Sequence, residues 1–138
     1  MTGPQICPLV ADREPELVEL WHSCGLVVPH NPPLTDIAFA QSSLDAEVLV
    51  GTVANRIVAS VMVGHDGHRG WLYYVAVAPD HQGEGFGAMI VVAGEEWLRS
   101  HGVRKVQLMV RPANTGVVSF YEHIGYEKSP VTVMQRWL

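Results

Sequence analysis

The sequence predicts an α/β chain of the α+β kind, with a mixed, mostly antiparallel central sheet, helices on both faces, and the order β-α-α-β-β-β-α-β-α-β. Two observations carry this. Three strand-like runs, Glu47–Ala54, Ile57–Gly64 and Trp71–Ala78, follow one another through the short links Asn55-Arg56 and His65–Gly70, the pattern of an antiparallel meander. After the third run the apolar period changes from two to 3.6 and a further strand follows, so a single crossover replaces the repeated alternation of a doubly wound sheet.

Each element has its own local signal. Gln5–Val10 is a short apolar run ahead of Asp12, which the sequence marks as the N-cap of a helix whose apolar residues Leu17, Leu20, Trp21 and Cys24 recur at helical spacing. Gly25 ends it. The proline-bearing stretch Val28-Pro29-His30-Asn31-Pro32-Pro33 is a loop, and Thr35 or Asp36 caps a second helix reaching about Leu44. Beyond the meander, Phe86, Met89, Ile90, Ala93 and Trp97 define the inner face of a third helix that stops at Gly102. Lys105–Arg111 is a strand. Asn114 caps a short helix with the inner face Val117, Phe120, Tyr121 and Ile124, closed by Gly125 in the left-handed role, and Val131–Leu138 is a last strand.

The 138 residues, 48% of them hydrophobic and 17% charged, suit one domain spanning 1–138. No run free of Lys, Arg, Asp and Glu reaches the ~18 residues of a membrane span, and Met1–Gln5 has neither the basic start nor the apolar core of a signal peptide. The expected location is the cytoplasm, with Cys7 and Cys24 as reduced thiols and no membrane partner. A net charge of −5 without any cluster of Lys or Arg argues against nucleic acid as a partner.

Chemistry concentrates in Val75-Ala76-Val77-Ala78-Pro79-Asp80-His81-Gln82-Gly83-Glu84-Gly85-Phe86-Gly87-Ala88, which joins a buried strand to a helix through a glycine-rich turn. Glycines let backbone approach a ligand, and a helix start directs unpaired N–H groups and the positive end of its dipole outward. Together they form a cradle for pyrophosphate; the same glycines also serve a tight turn with no ligand at all. The spacing is G-x-G-x-G, mid-chain, with no Lys-Ser/Thr after it, which sets aside both the dinucleotide fingerprint and the P-loop.

Gln82-x-x-Gly85-x-Gly87, preceded by Val77-x-Pro79, resembles the acyl-CoA signature of the GNAT N-acetyltransferases, and Asn114 followed by Phe120-Tyr121-Glu122 and Gly125-Tyr126 resembles that family's second motif. A narrower likeness, to small bacterial members of the YpeA type, runs through Leu20-Trp21-x-x-Cys24, Pro29-x-Asn31, Asp36-Ile37, Asp66–Gly70 and Tyr73-Tyr74. The resemblance implies a GNAT-type sheet, acetyl-CoA as donor with CoA as product, and a primary amine as acceptor, on a small molecule, a peptide or a protein N-terminus. It implies that the main chain of Val75 and Val77 pairs with pantetheine and that amides from Gln82, Gly83, Glu84, Gly85, Phe86, Gly87 and Ala88 hold the pyrophosphate. It also implies that Tyr121 donates to, or stays near, the departing sulfur, with Asn114 contacting pantetheine, capping its helix, or both. By the same resemblance, His30 and Asn31 line the acceptor cleft.

The resemblance leaves the base open. A lysine-type amine of pKa ~10.4 costs roughly 4.6 kcal/mol to deprotonate at pH 7, and Trp71–Ala78 contains no Asp or Glu to help. His65, Asp66 and His68 in the preceding turn are the candidates for that task, beside the alternative that Asp66-Gly67 is simply a hairpin turn. No metal site is expected there. Tyr73 and Tyr74 alternate across the sheet, so at most one faces the acceptor while the other packs on a helix. Glu84 near a pyrophosphate is unfavourable unless it turns to solvent. A non-catalytic acyl-CoA-binding sensor or regulatory module is the alternative reading, and an exposed edge on the last strand offers a homodimer contact.

Overall fold

The computed structural model describes residues 3–138; Met1 and Thr2, part of the N-terminal stretch read above, lie outside the described residues. The chain divides into two compact units, Met1–Leu108 and Met109–Leu138.

The first unit holds a five-stranded sheet in the order β1-β2-β3-β4-β5: β1 (Gln5–Pro8), β2 (Ala46–Val53), β3 (Arg56–His65), β4 (Gly70–Val77) and β5 (Val106–Gln107). β1 to β4 pair antiparallel, and β5 joins β4 in parallel through Gly70↔Val106 and Trp71↔Gln107. The helices are α1 (Glu14–Ser23), α2 (Pro33–Gln41) and α3 (Phe86–Ser100). Both faces of the sheet are covered. Val58 clusters with Trp21 and Leu17 of α1 and Ile37 of α2, while Val61 lies against Gly94 of α3. Burial on two sides explains why Ile57–Val63 reads as a nearly unbroken apolar run. Trp21 has no exposed surface, and its truncation to Ala would cost about 3–5 kcal/mol.

α3 sits close to the sheet because two glycines let it. A Cβ on Gly94 would lie 2.9 Å from Leu72 Cδ2, and one on Gly70 would lie 2.6 Å from Leu98 Cδ1. The helix face that packs is Phe86, Ile90, Val91, Gly94 and Leu98, which keeps Phe86 and Ile90 of the expected set and turns away from the rest; Met89 is 42% exposed. Glycine, silent in an apolar-periodicity count, is the contact that rotates the face.

Several boundaries differ from expectation. Asp12 does not cap α1: Ala11–Arg13 form a 3-10 turn and the helix begins after it, with Pro15 in its first turn. Neither Thr35 nor Asp36 caps α2, because the helix starts earlier at Pro33 and ends at Gln41. The β2–β3 turn is Ala54-Asn55, both at positive φ, and Arg56 already belongs to β3. Lys105–Arg111 contributes only Val106–Gln107 as strand.

The second unit contains α4 (Thr115–His123), whose N-cap Asn114 accepts from the Val117 amide at 3.4 Å as the sequence predicts. Gly125 follows at φ 103° in the left-handed region. The expected last strand is not formed: Val131–Leu138 is exposed chain without regular secondary structure. A strand exists only with a ladder partner, and α4 is the only regular element of this unit.

Candidate functional site

β4 and α3 are joined by a turn that its own residues brace from below and leave open above. Pro79–His81 form a 3-10 turn, and the Arg56 guanidinium grips Asp80 through both carboxylate oxygens, at 2.8 and 3.2 Å. This pairing holds the Asp80 carboxyl below its usual range. His81 stacks on Phe86 and its Nδ1 lies 2.9 Å from Glu84 Oε2, so Glu84 is turned toward an imidazole within the turn. The Gln82 amide donates back to the Val77 carbonyl at 3.2 Å.

Above this base the backbone is left-handed twice, at Gly83 (φ 82°) and Gly85 (φ 84°). A Cβ at either would meet nothing within 4 Å, so glycine is required by the backbone angle and not by crowding. Gly85 is the N-cap of α3 and brings no side chain to cap it. The first intrahelical bond runs from Met89 N to Gly85 O, so the amides of Phe86, Gly87 and Ala88 lie ahead of it with the positive end of the helix dipole. The arrangement suits an anion carried on main-chain donors.

β4 itself presents a sheet edge. Beyond Trp71 it has no ladder partner on the β5 side among the described residues. Ala78 N bonds Val58 O, so by the alternation of an antiparallel ladder Val77 directs its N–H and C=O away from β3. Its carbonyl takes the Gln82 amide and the Cys24 thiol, the latter at 3.3 Å.

The register of β3 and β4 slips between Ser60↔Ala76 and Met62↔Tyr73, where Val61 faces both Tyr74 and Val75. Tyr74 adopts φ 50° at this bulge, a left-handed conformation uncommon for a bulky residue. Three contacts hold it. Its ring stacks on Trp21 with centroids 3.8 Å apart and planes 8° apart; its carbonyl accepts from the buried Ser60 hydroxyl at 2.8 Å; its own hydroxyl donates to Asp36 Oδ2 at 2.6 Å. Ser60 in turn accepts from Trp21 Nε1, closing a satisfied buried network. Burial, then the Asp36 carboxylate, pushes the Tyr74 phenol well above its ordinary range. The bulge breaks the alternation assumed in the sequence: Leu72 meets α3, whereas Tyr74, two residues on, meets α1. Tyr73 is exposed beside Trp71, its phenol raised by burial and then by Asp66.

The structure does not bring His65, Asp66 and His68 to the glycine turn. They lie at the opposite end of β4, level with the far end of α3, whose 15 residues span about 22 Å. Asp66 is spent on its own turn: Oδ1 accepts from the His68 and Arg69 amides at 2.9 and 2.7 Å, and Oδ2 from Trp71 Nε1. These bonds, the Arg69 and His68 amides first, hold its carboxyl below the usual range. His65 Nδ1 accepts from the Gly67 amide, and its Nε2 lies 3.4 Å from Asp45. His68 is exposed, as is His30; Asn31 is half-buried, its amide bonded to Val28 O. No group of three or more His, Cys, Asp or Glu side chains able to hold a metal occurs among the described residues.

In the second unit Tyr121 is buried, with edge-on contacts to Phe120 and Tyr126, and burial pushes its phenol up to about 12. The sequence reading missed Asp36, which it treated as a helix cap. Nothing local could have found it, since its partner Tyr74 is 38 residues away.

Residues 11–126 match the model of a family described as the acetyltransferase (GNAT) family. An acetyltransferase of Sodalis glossinidius (strain morsitans) is 40% identical over 112 residues, 81% of this chain and 79% of that protein. Among solved structures, AAC(6')-Iy in complex with a CoA-containing bisubstrate analogue superposes with a TM-score of 0.83 at 13% identity, covering 99% of both chains. The PaiA N-acetyltransferase of Thermoplasma acidophilum in complex with coenzyme A does so with a TM-score of 0.77 at 17% identity, covering 96% of this chain and 94% of that one.

Proposed function

Since the chain belongs to the GNAT acetyltransferase family, we propose that it moves an acetyl group from acetyl-CoA to a primary amine of a small molecule by direct attack. One observation supports this reading above the others: an α3 N-terminus that no side chain caps follows, through the glycine turn, a β4 edge that beyond Trp71 has no strand partner on the β5 side among the described residues.

The residues present fit the donor. Main-chain amides from Gln82 to Ala88 would carry the pyrophosphate, with glycine at both left-handed positions. Of the β4 edge, Val75 and the Val77 N–H would face pantetheine, because the Val77 carbonyl already has two donors. When bound, acetyl-CoA supplies a thioester already activated toward a nitrogen nucleophile.

The chain's own contribution is placement, polarisation and proton handling. Tyr121, with its phenol near 12, stays protonated at neutral pH and is not a base; passing its proton to a thiolate whose thiol has pKa ~8.5 is uphill, so a hydrogen bond to the departing sulfur is the larger part of the role its motif implies. Direct attack is preferred to an acyl-cysteine route. Cys24 gives its thiol hydrogen to a carbonyl, no basic side chain pairs with it among the described residues, and Cys7 is exposed on the outer strand β1.

Calorimetry with CoA and thiol release from acetyl-CoA across a panel of amines test the proposal. Saturable CoA binding, amine-dependent release, slowed turnover in Tyr121→Phe and unchanged turnover in His68→Ala are expected. Absence of CoA saturation on folded, ligand-free protein would overturn it, and binding without amine-dependent release would favour a sensor.

A further inference from the structure

We propose that Glu84 is a built-in competitor for the phosphate cradle and that His81 is the positioning residue that holds it off; this rests on the function proposed above. Glu84 stands between the two left-handed glycines, one residue ahead of the uncapped start of α3. A carboxylate in that place is attracted by the positive end of the helix dipole and by the amides of Phe86, Gly87 and Ala88, the donors assigned to pyrophosphate. An unrestrained glutamate there acts on the cradle twice, by occupying its donors and by repelling the charge of the ligand. Nothing stands within 4 Å of a Cβ built on Gly83 or Gly85, so the space around the turn is open to that movement.

The structure directs Glu84 elsewhere. Its Oε2 lies 2.9 Å from His81 Nδ1, and a carboxylate only accepts, so Nδ1 is the ring nitrogen that carries hydrogen. The imidazole is itself fixed. The His81 amide donates to Ala78 O at 2.8 Å, and the ring lies on Phe86 with centroids 5.3 Å apart and planes 17° apart. Phe86 is buried, so the ring rests on a wall that does not move with the turn. No other side chain binds Glu84 among the described residues, and the arginine that reaches this turn, Arg56, is committed to Asp80 through both carboxylate oxygens. Two properties of His81 are thus used at once: a flat face against Phe86 and a donor on the ring edge toward Glu84. Phenylalanine has the first alone and asparagine the second alone.

The test is a double-mutant cycle read by calorimetry with CoA. His81→Phe keeps the stack and releases Glu84; CoA affinity should fall about fivefold at low ionic strength, and the loss should shrink as salt is added. Glu84→Gln keeps the length and removes the charge, and should raise affinity about twofold on its own. Combined with Glu84→Gln, His81→Phe should cost under about twofold, because the group it releases no longer competes. His81→Asn, which retains a donor near the place of Nδ1, should lose less affinity than His81→Phe. His81→Leu repeats the cycle should the phenylalanine variant fail to fold. An equal loss with and without Glu84→Gln would make His81 a packing residue and overturn the proposal, as would no loss in His81→Phe alone. Absence of CoA saturation in the native protein would instead overturn the donor site.

Discussion

At one end of β4 the hairpin His65–Gly70 holds two histidines, an aspartate and two glycines; at the other the turn Asp80–Gly85 holds a histidine, an aspartate, a glutamate and two glycines. Composition does not separate them, but hydrogen bonding does. In the hairpin, Asp66 consumes the amides of His68 and Arg69 and the indole of Trp71, so its donors and acceptors cancel within the turn. In the glycine turn, Asp80 points down to Arg56, Glu84 points aside to His81, and the position that caps α3 is a glycine. A turn that satisfies itself is structural; a turn whose carboxylates are led away from its amides keeps those amides for a ligand.

Making the second turn resemble the first should have the largest effect. Gly85→Asp strains the left-handed backbone and places a carboxylate at the start of α3, where it competes for the same amides and repels phosphate; it should weaken CoA binding ~50-fold by calorimetry, and Gly85→Asn, with the same strain and no charge, should weaken it less. An unchanged affinity would place the phosphates elsewhere. Glu84→Arg tests the opposite sign: affinity should rise about threefold at low ionic strength, and the gain should fade in salt as screening sets in. No gain at low salt would put Glu84 outside the phosphate field.

The hairpin should respond in stability alone. Asp66→Asn leaves CoA binding and turnover unchanged while lowering Tm by a few degrees at pH 7. The Asp66 carboxyl is depressed in the folded state, so its contribution is complete above the ordinary pKa of ~3.9 and is lost as pH falls through the lower folded value. The native protein and the variant should therefore converge in Tm on acidification. A loss of turnover in Asp66→Asn would return catalysis to that end of the sheet. The smallest signal is an alkaline one. Tyr121 is raised to about 12, so its protonated form adds stability below pH ~10 that declines between ~10 and ~12, and Tyr121→Phe should remove one late-titrating phenol from the absorbance titration.

Much of the fold was legible because it is local. The meander follows from turn residues and strand propensity, the Asn114 cap from a side chain reaching three residues ahead, and the glycine turn from backbone angles that glycine reaches without strain. The readings that failed depend on partners. Asp12, Thr35 and Asp36 are good capping residues, yet prolines placed the helix starts elsewhere. Val131–Leu138 alternates like a strand and forms no ladder.

By itself, then, the sequence determined the order of the elements as far as α4, the glycine-rich start of α3 and the family, since each is written in residues a few positions apart. Only the tertiary structure decided that Tyr74 breaks the β4 alternation, that Trp21, Ser60 and Asp36 converge on it, and that the hairpin histidines stand a helix length from the turn. Those facts arise from pairings across tens of residues, where one slipped register exchanges the faces of a strand and no local pattern records the exchange.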